Sequence, residues 1–539
     1  VDQSPTPAST PVVAAPPERA AARAPRQRSL AFTITGAVLV VAAFLLLLRM
    51  TAQERGGPTH EFVSIGDGIP ATLYVPYPDE DDGLPVAPPK GERAPVIVLA
   101  HGYSADRASM SGLARSYTEA GYAVLSFDFR GHGANTHRFQ GDLRDDFAAA
   151  VDWAETSPYV DGENIAVMGH SMGAGAALDF ATLDARPKAV IPLSGGWVVN
   201  DGVVPGNTLF VVAENDPDRI HDRQQELADQ LTQLGGTVGQ VEVGGSDHIT
   251  VLRKDKTVAA VTEFLDPILG IERADGDTPG IEDPRYKTAL LYLIVAFALV
   301  ALLGSVVGRA APAGPQTDPA GPVWGGFALL VGALVVSMPV LGAGQFDLLP
   351  IGAGQPIVIH AALASALLWG LRGLAQRGQL TGRVAEWIGP DRPWLSLRSS
   401  GWTGLVAAGI VIALLIPLGP VVHRFVPTPQ RAVYWVVMAA IALPFFAAFH
   451  GLIRRGEGWT AILIGAIGRV VLIAVLLLGL AVGVLPMVIS LVIPLLVLQY
   501  VLLELFAGGC YASSRNTTVI AIVDAVVIGW VATTLTPVG

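Results

Sequence analysis

Residues 167–180 read VMGHSMGAGAALDF, and the stretch Gly169-His170-Ser171-Met172-Gly173 sets a serine with a glycine two residues away on each side. A serine hydroxyl is a poor nucleophile at neutral pH. It attacks an acyl carbonyl only with a base to take its proton and a carboxylate to orient that base. Both types occur farther along. TLFVVAENDPD puts Asp216 just past an apolar run, and VEVGGSDHITV puts His248 after the next one. Serine, then acid, then histidine is the order in which one strand–turn–helix scaffold carries these groups. Glu214, Asp218 and Asp247 are rival carboxylates, and Asp216 is preferred because its setting, an apolar strand followed by small-Glu-x-Asp-Pro, matches the usual acid loop. Acyl transfer also needs donors for the oxyanion. The backbone N–H of Met172, opening the helix after the serine, is one candidate. That of Tyr103, after PVIVLAHG, is the other.

A Gly-x-Ser-x-Gly stretch does this chemistry only between a strand and a helix, where the turn is too tight for side chains at the glycines. NIAVMG before Ser171 and MGAGAALDFATL after it meet that condition. Around them, the runs ATLYV, PVIVLA, AVLSFDF, NIAVMG, AVIPLSG, TLFVVA and VEV alternate with helical patterns at 109–120, 142–156, 172–183, 219–234 and 250–265. This alternation predicts a mostly parallel sheet with helices on both faces. The Pro/Asp/Gly-rich segment 76–95 predicts a surface loop. His101 is expected to bond loop backbone and His170 to pack within the turn. In FDFRGHG, Asp128 and Arg130 are expected to form a buried pair, with His132 as loop architecture.

HGYS, DFRGHG, GHSMGA, AENDPD and GSDH fall in the order and spacing used by the α/β-hydrolase superfamily. Residues 60–270 resemble that superfamily, nearest in look to its dienelactone-hydrolase-like and serine-esterase or acylaminopeptidase-like branches. The resemblance implies an α/β-hydrolase domain with a serine nucleophile and leaves the substrate open. Between PLSGG at 192–196 and TLFVV at 208–212 only about a dozen residues intervene. No lid domain fits there, so the site is either open or covered by something else.

The rest of the 539-residue chain has another character. The chain is 51% hydrophobic and 15% charged, with a mean hydropathy of +0.49. Residues 60–286 hold 36 acidic and 16 basic residues, and the remainder holds 10 and 19. No basic block is dense enough for nucleic acid. The single cysteine, Cys510, excludes an internal disulfide and a cysteine-cluster metal site, and nothing suggests an organic cofactor. Lysine occurs only at 90, 188, 254, 256 and 287, and this arginine bias with Ala/Val/Gly richness points to a GC-rich bacterial genome. Residues 1–29, rich in Pro, Ala, Ser and Thr, predict a disordered cytoplasmic tail. The uncharged run at 31–48 predicts a retained transmembrane anchor over 30–50. After a linker at 271–286, eight apolar blocks fill 287–539: 287–308, 324–342, 351–371, 402–420, 431–452, 459–484, 487–506 and 517–535.

Nine spans with the tail inside put Arg309, Arg372, Arg377, Arg383, Arg392, Arg398, Arg454, Arg455 and Arg515 in inner loops, against Arg424 and Arg431 in outer ones. That asymmetry follows the positive-inside rule and places the 60–270 domain outside the cytoplasm. Trp387, Trp394 and Trp402 fit an inner aromatic belt. Arg469, Glu504 and Asp524 lie within spans, with His360 and His450 nearer helix ends, and mutual pairing is preferred over a relay. The NTT at 516–518 matches a glycosylation sequon by chance.

The expectation is therefore a serine hydrolase, esterase- or lipase-like, integrated in the plasma membrane of a bacterial envelope. Its substrate class is a small-molecule or lipid-like ester met among membrane lipids, with no metal, no cofactor and no nucleic-acid partner; protein partners are undefined. Acyl transfer by the same residues, or a transporter or scaffold carrying a degenerate hydrolase domain, are the alternatives.

Overall fold

The computed structural model describes all residues except 1–23, 78–86, 141, 198–201, 274–279, 281–282, 316–320, 344–349, 353, 390 and 392. The expected tail thus lies mostly outside the described residues, as does half of the expected linker. Helix α1 spans Ala24–Arg55, longer at both ends than the uncharged run. The sheet segment follows as β1 Thr59–Ile65, β2 Ile69–Val75, β3 Pro95–Ala100, α2 Ser111–Glu119, β4 Ala123–Phe127 and α3 Arg144–Thr156. It continues with β5 Asp161–His170, α4 Met172–Ala181, β6 Ala189–Leu193, β7 Asn207–Ala213, α5 Asp218–Gln233, β8 Thr237–Val243 and α6 Asp255–Leu269.

The eight strands form one sheet in the order β1-β2-β4-β3-β5-β6-β7-β8. All neighbours from β4 onward pair in parallel, and β1–β2 and β2–β4 are antiparallel. The central strands are continuous apolar runs because both their faces are covered. One core packs Phe147, Leu178 and Leu227 of α3, α4 and α5 on one face. The other packs Leu113, Val258 and Leu265 of α2 and α6 on the opposite face. Strand β1 was not readable from the run pattern. It is an edge strand with Phe62 73% exposed, so it carries no apolar run, and its one signal is the Gly66-Asp67-Gly68 hairpin turn, with φ of 48° and 91° at the glycines.

Beyond the sheet come α7 Pro284–Ala310, α8 Val323–Ala343, α9 Gly354–Gln376, the short α10 Arg383–Ile388, α11 Leu397–Leu415, α12 Pro429–Ile453, α13 Gly458–Ala481, α14 Ile489–Ser514 and α15 Thr517–Leu535. Counting α1, nine helices among the described residues are long and apolar enough to cross a membrane. Helices this uniformly apolar are fixed against one another by close approach at small residues and by polar contacts. Gly304 and Gly308, four apart on α7, meet α14 so closely that a methyl at Gly308 would stand 2.7 Å from the Cys510 carbonyl oxygen. Helix α15 is the most enclosed, packed by α11, α12 and α14. Trp394 is buried, 2% exposed and edge-on to Trp369, which removes it from the expected belt; Trp402 is 79% exposed. Asn516 spends its side chain on Pro312, Ser400 and the N–H of Val519 as cap of α15.

The charges inside the bundle pair with one another. Arg469 donates to Glu504 at 3.0 Å and to Asp524 at 2.8 Å. Arg454 holds Glu504 with two bonds of 2.7 and 2.5 Å, and His450 meets Asp524 at 2.9 Å. All five residues are buried. His450 is thus a member of the network. Two arginines and two carboxylates balance, which is what a medium that penalises lone charges requires.

Several contacts tie the helical and sheet parts together. Arg285 of α7 bonds Glu54 of α1 at 2.5 Å, pinning together the two ends of the sheet segment. Residues 536–539, past α15, lie against the loop after β4: Val538 donates to Gly131 at 2.9 Å, and its carbonyl accepts from Phe139 at 2.6 Å. The buried Arg431 guanidinium bridges the carbonyls of Gly131, Thr533 and Thr536.

Removing Arg469 leaves buried carboxylates short of a countercharge. Arg469→Leu is expected to cost about 3–5 kcal/mol, read as a lower unfolding midpoint of the purified protein in detergent. An unchanged midpoint would show that the network carries no stability.

Candidate active site

Strand β5 ends at His170, and α4 begins at Met172, so Ser171 forms the whole turn between them. Its backbone lies at φ 53°, ψ −111°, a region L-residues seldom occupy. The neighbouring glycines make the turn possible. A methyl at Gly173 would stand 2.6 Å from the His101 carbonyl oxygen, and one at Gly169 would run into the backbone of Gly173 itself. The helix therefore starts against the strand ends with the serine side chain raised above them.

The structure brings the three side chains singled out by the sequence into one line. His248 Nε2 lies 3.0 Å from Ser171 Oγ, and His248 Nδ1 lies 2.7 Å from Asp216 Oδ1. Asp216 follows β7 and His248 follows β8, so both arrive on loops at the same edge of the sheet as the serine. The Asp216 side chain is fully buried. Burial by itself would raise its pKa, but hydrogen bonds from His248 and from the Ala213 N–H (3.0 Å) outweigh this and hold the carboxyl below its ordinary value. It is thus a carboxylate at neutral pH, aimed at one ring nitrogen while the other faces the serine.

The rival carboxylates are otherwise engaged. Glu214 accepts from the Gly245 N–H at 2.5 Å, and Asp247 accepts from the N–H groups of Ile249 and Thr250, each at 2.9 Å. Asp218 lies in the first turn of α5.

The remaining histidines support the loops. His101 Nε2 accepts from the Phe129 N–H at 3.1 Å while Nδ1 sits 2.8 Å from the Gly102 carbonyl. That pair of bonds requires the neutral ring with its proton on Nδ1, and burial lowers its pKa accordingly. His170 carries a role that its packing expectation missed: its Nε2 is 2.7 Å from the His248 carbonyl. It fixes the backbone that presents His248. The expected Asp128–Arg130 pair does not form. Arg107 takes Asp128, whose carboxylate also accepts from the Arg107 and Ala134 N–H groups at 2.9 and 2.8 Å. Arg130 instead turns to Asp146 on α3 at 2.8 Å. Asp128 is held by the loop after β3 and Arg130 by the first turn of α3, so the two side chains are drawn to different elements.

For the oxyanion, Met172 opens α4 with its N–H in the first turn. The loop after β3 runs past the serine: a methyl at Gly102 would lie 3.3 Å from Ser171 Cβ, and Tyr103 is the next residue. Next to Met172 is an open groove of about 520 Å³, lined by Leu143, Ala176, Trp197, Asp142 and Asp179. No cluster of metal-ligating side chains occurs among the described residues.

Comparison with known proteins finds matches to part of this chain. A family model described as serine aminopeptidase, S33, matches residues 91–217. A monoacylglycerol lipase of Mycolicibacterium smegmatis is 30% identical over 165 residues, 29% of this chain and 52% of the lipase. A cutinase of Thermobifida alba is 34% identical over 131 residues, 22% of this chain and 41% of the cutinase. An esterase of Pyrobaculum calidifontis of known structure covers 46% of this chain and 93% of its own at 19% identity and a TM-score of 0.32. The chain spans 38% to 62% of the length of the first curated relatives it matches. The sheet segment is an α/β-hydrolase segment joined to an all-helical part.

His170 links site and stability through pH. Burial pushes its pKa down to about 3 in the folded chain, against about 6.5 when unfolded. Below about pH 6.5 the unfolded chain takes up a proton that the folded one refuses. Stability present above that value is therefore lost as pH falls, by about 1.4 kcal/mol per unit. The unfolding midpoint is expected to drop between pH 7 and pH 5, and His170→Asn to flatten that drop. Parallel pH curves for both proteins would refute the assignment.

Proposed function

We propose that the protein is a membrane-integrated serine hydrolase that cleaves an acyl ester on the extracytoplasmic side. The observation that supports this most is the pair of hydrogen bonds, 3.0 and 2.7 Å, running from a strained Ser171 through His248 to the carboxylate of Asp216. As Ser171 Oγ attacks the carbonyl carbon, its proton passes to His248 Nε2, and Asp216 stabilises the imidazolium that results. The carbonyl oxygen becomes an oxyanion held by the N–H groups of Met172 and Tyr103. His248 then gives its proton to the departing alkoxide, leaving an acyl-serine and an alcohol. Water, deprotonated by His248, attacks the acyl-serine, and the acid leaves as Ser171 recovers its proton.

An ester is favoured over an amide by two relatives, one named a monoacylglycerol lipase and one a cutinase, and an amphiphilic one by the apolar bundle beside the site. The serine aminopeptidase description of the family model keeps a peptide bond as the second reading. Integration in a membrane is supported by the nine apolar helices. The outward orientation is supported by the arginine asymmetry of the loops. Within the bundle, the buried charges pair with one another, which favours a structural over a transporting role for them.

The test is labelling with a fluorophosphonate probe in membrane-permeant and impermeant forms. Both forms are expected to label intact cells expressing the protein, and Ser171→Ala to abolish labelling. Asp216→Asn is expected to lower kcat on a soluble ester by about 10⁴-fold. No labelling of the folded wild type would remove the reading. Labelling by the permeant probe alone would reverse the orientation.

A further inference from the structure

An oxyanion donor acts only if its N–H is aimed at the place where charge develops, so whatever holds the loop of Tyr103 takes part in the reaction. That loop is held largely from the helical bundle. The Tyr103 ring packs on one side against Phe139 and His132 of the hydrolase segment, at centroid distances of 6.1 and 5.9 Å. On the other it packs against an apolar cluster of Leu341, Ile359, Leu476, Leu485 and Ile489, from the ends of α8, α9, α13 and α14 and the turn between the last two. Its hydroxyl lies over Gly352, where an added methyl would run into it and would also stand 2.9 Å from Pro537 Cγ. The next residue, Ser104, has φ 59°, a conformation that persists only where its surroundings enforce it. Three residues past Tyr103, the buried carboxylate of Asp106 accepts from the Arg424 N–H at 2.6 Å and faces His423 Nδ1 at 3.4 Å. Ser111 Oγ then donates to the Pro420 carbonyl at 3.2 Å. Tyr103, Asp106 and Ser111 are thus each gripped by the bundle.

We propose that the bundle is a working part of the hydrolytic site: through Tyr103 it sets the position of the second oxyanion N–H, with Gly352 and the Leu485 cluster as positioning residues. This rests on the serine-hydrolase reading above. A bundle that served only as a tether would have no reason to touch this loop. The coupling makes the rate of acyl transfer depend on how the outer ends of the helices pack.

The experiment uses the full chain in detergent or lipid nanodiscs, p-nitrophenyl butyrate as substrate, and a fluorophosphonate burst to count active sites. Gly352→Ala is expected to lower kcat per counted site about ten- to a hundredfold, as a small misplacement of a catalytic group does, with KM little changed. Combined with Tyr103→Phe, which removes the hydroxyl that the new methyl strikes, the fall relative to Tyr103→Phe alone should shrink to about threefold or less. Leu485→Ala, which loosens the cluster instead of crowding it, is expected to lower kcat per site, and Tyr103→Phe should not restore it. It also serves if Gly352→Ala yields no folded protein. An unchanged kcat per site in Gly352→Ala or Leu485→Ala overturns the link, as does an equal fall from Gly352→Ala in both Tyr103 and Tyr103→Phe backgrounds. A wild type that reacts with no probe removes the hydrolase reading itself, an outcome distinct from all of these.

Discussion

Ser171 sits at backbone angles that a serine keeps only when its surroundings leave no alternative, and much of the hydrolase segment consists of those surroundings. The turn is held by backbone on every side: the carbonyls of Ala100 and His101 press against Gly173, and the Ser171 N–H is tied to the Leu193 carbonyl at 2.9 Å. These contacts require β3, β5 and β6 to be adjacent and parallel. That register in turn requires apolar side chains on both faces and helices to cover them. The same register brings the loops after β7 and β8 to the serine's edge of the sheet. One strained residue thus ties strand order, helix placement and the meeting of three distant side chains into a single demand.

A second constraint comes from the apolar interior of the helical part. Apolar surroundings punish every unpaired charge, and the bundle answers with arginines and carboxylates in balance. At its junction with the hydrolase segment the rule is different. There, Val538 exchanges backbone hydrogen bonds with Gly131 and Phe139, its neighbours Pro537 and Gly539 pair with Gly352 and Pro350, and Arg431 binds several carbonyls at once. Such bonds are specific in position and direction, so the two parts meet in one orientation.

The general plan was legible in the sequence because each part has its own periodicity and composition. The strand runs, the Gly-x-Ser-x-Gly turn and the order of Asp216 and His248 could be read from residue types alone, and their distances emerge only on folding. What stayed hidden is of another kind. Strand β1 escaped because an exposed edge strand needs no apolar run. Arg107 as the partner of Asp128 escaped because ion pairing is decided by which elements draw the two side chains, which spacing does not record. The bond from His170 to the His248 carbonyl joins residues 78 apart through a main-chain atom, so no side-chain pattern announces it. The grip of the bundle on the loop of Tyr103 left no trace for the same reason: Gly352, Pro537 and the N–H of Arg424 act as shape and backbone.

The pairing of Val538 with Gly131 and Phe139 has a consequence in time. Chains emerge from the ribosome in order, and domains fold as units as they appear. The hydrolase segment is complete in sequence at α6, while the partners of its Gly131 loop are made only after all the remaining helices. Closing so long a loop adds little entropic cost, because that cost grows only with the logarithm of length. It does impose a schedule. A chain halted partway through synthesis would expose its Gly131 loop without the residues that settle on it, and would reach its final form only once α15 and residues 536–539 are made.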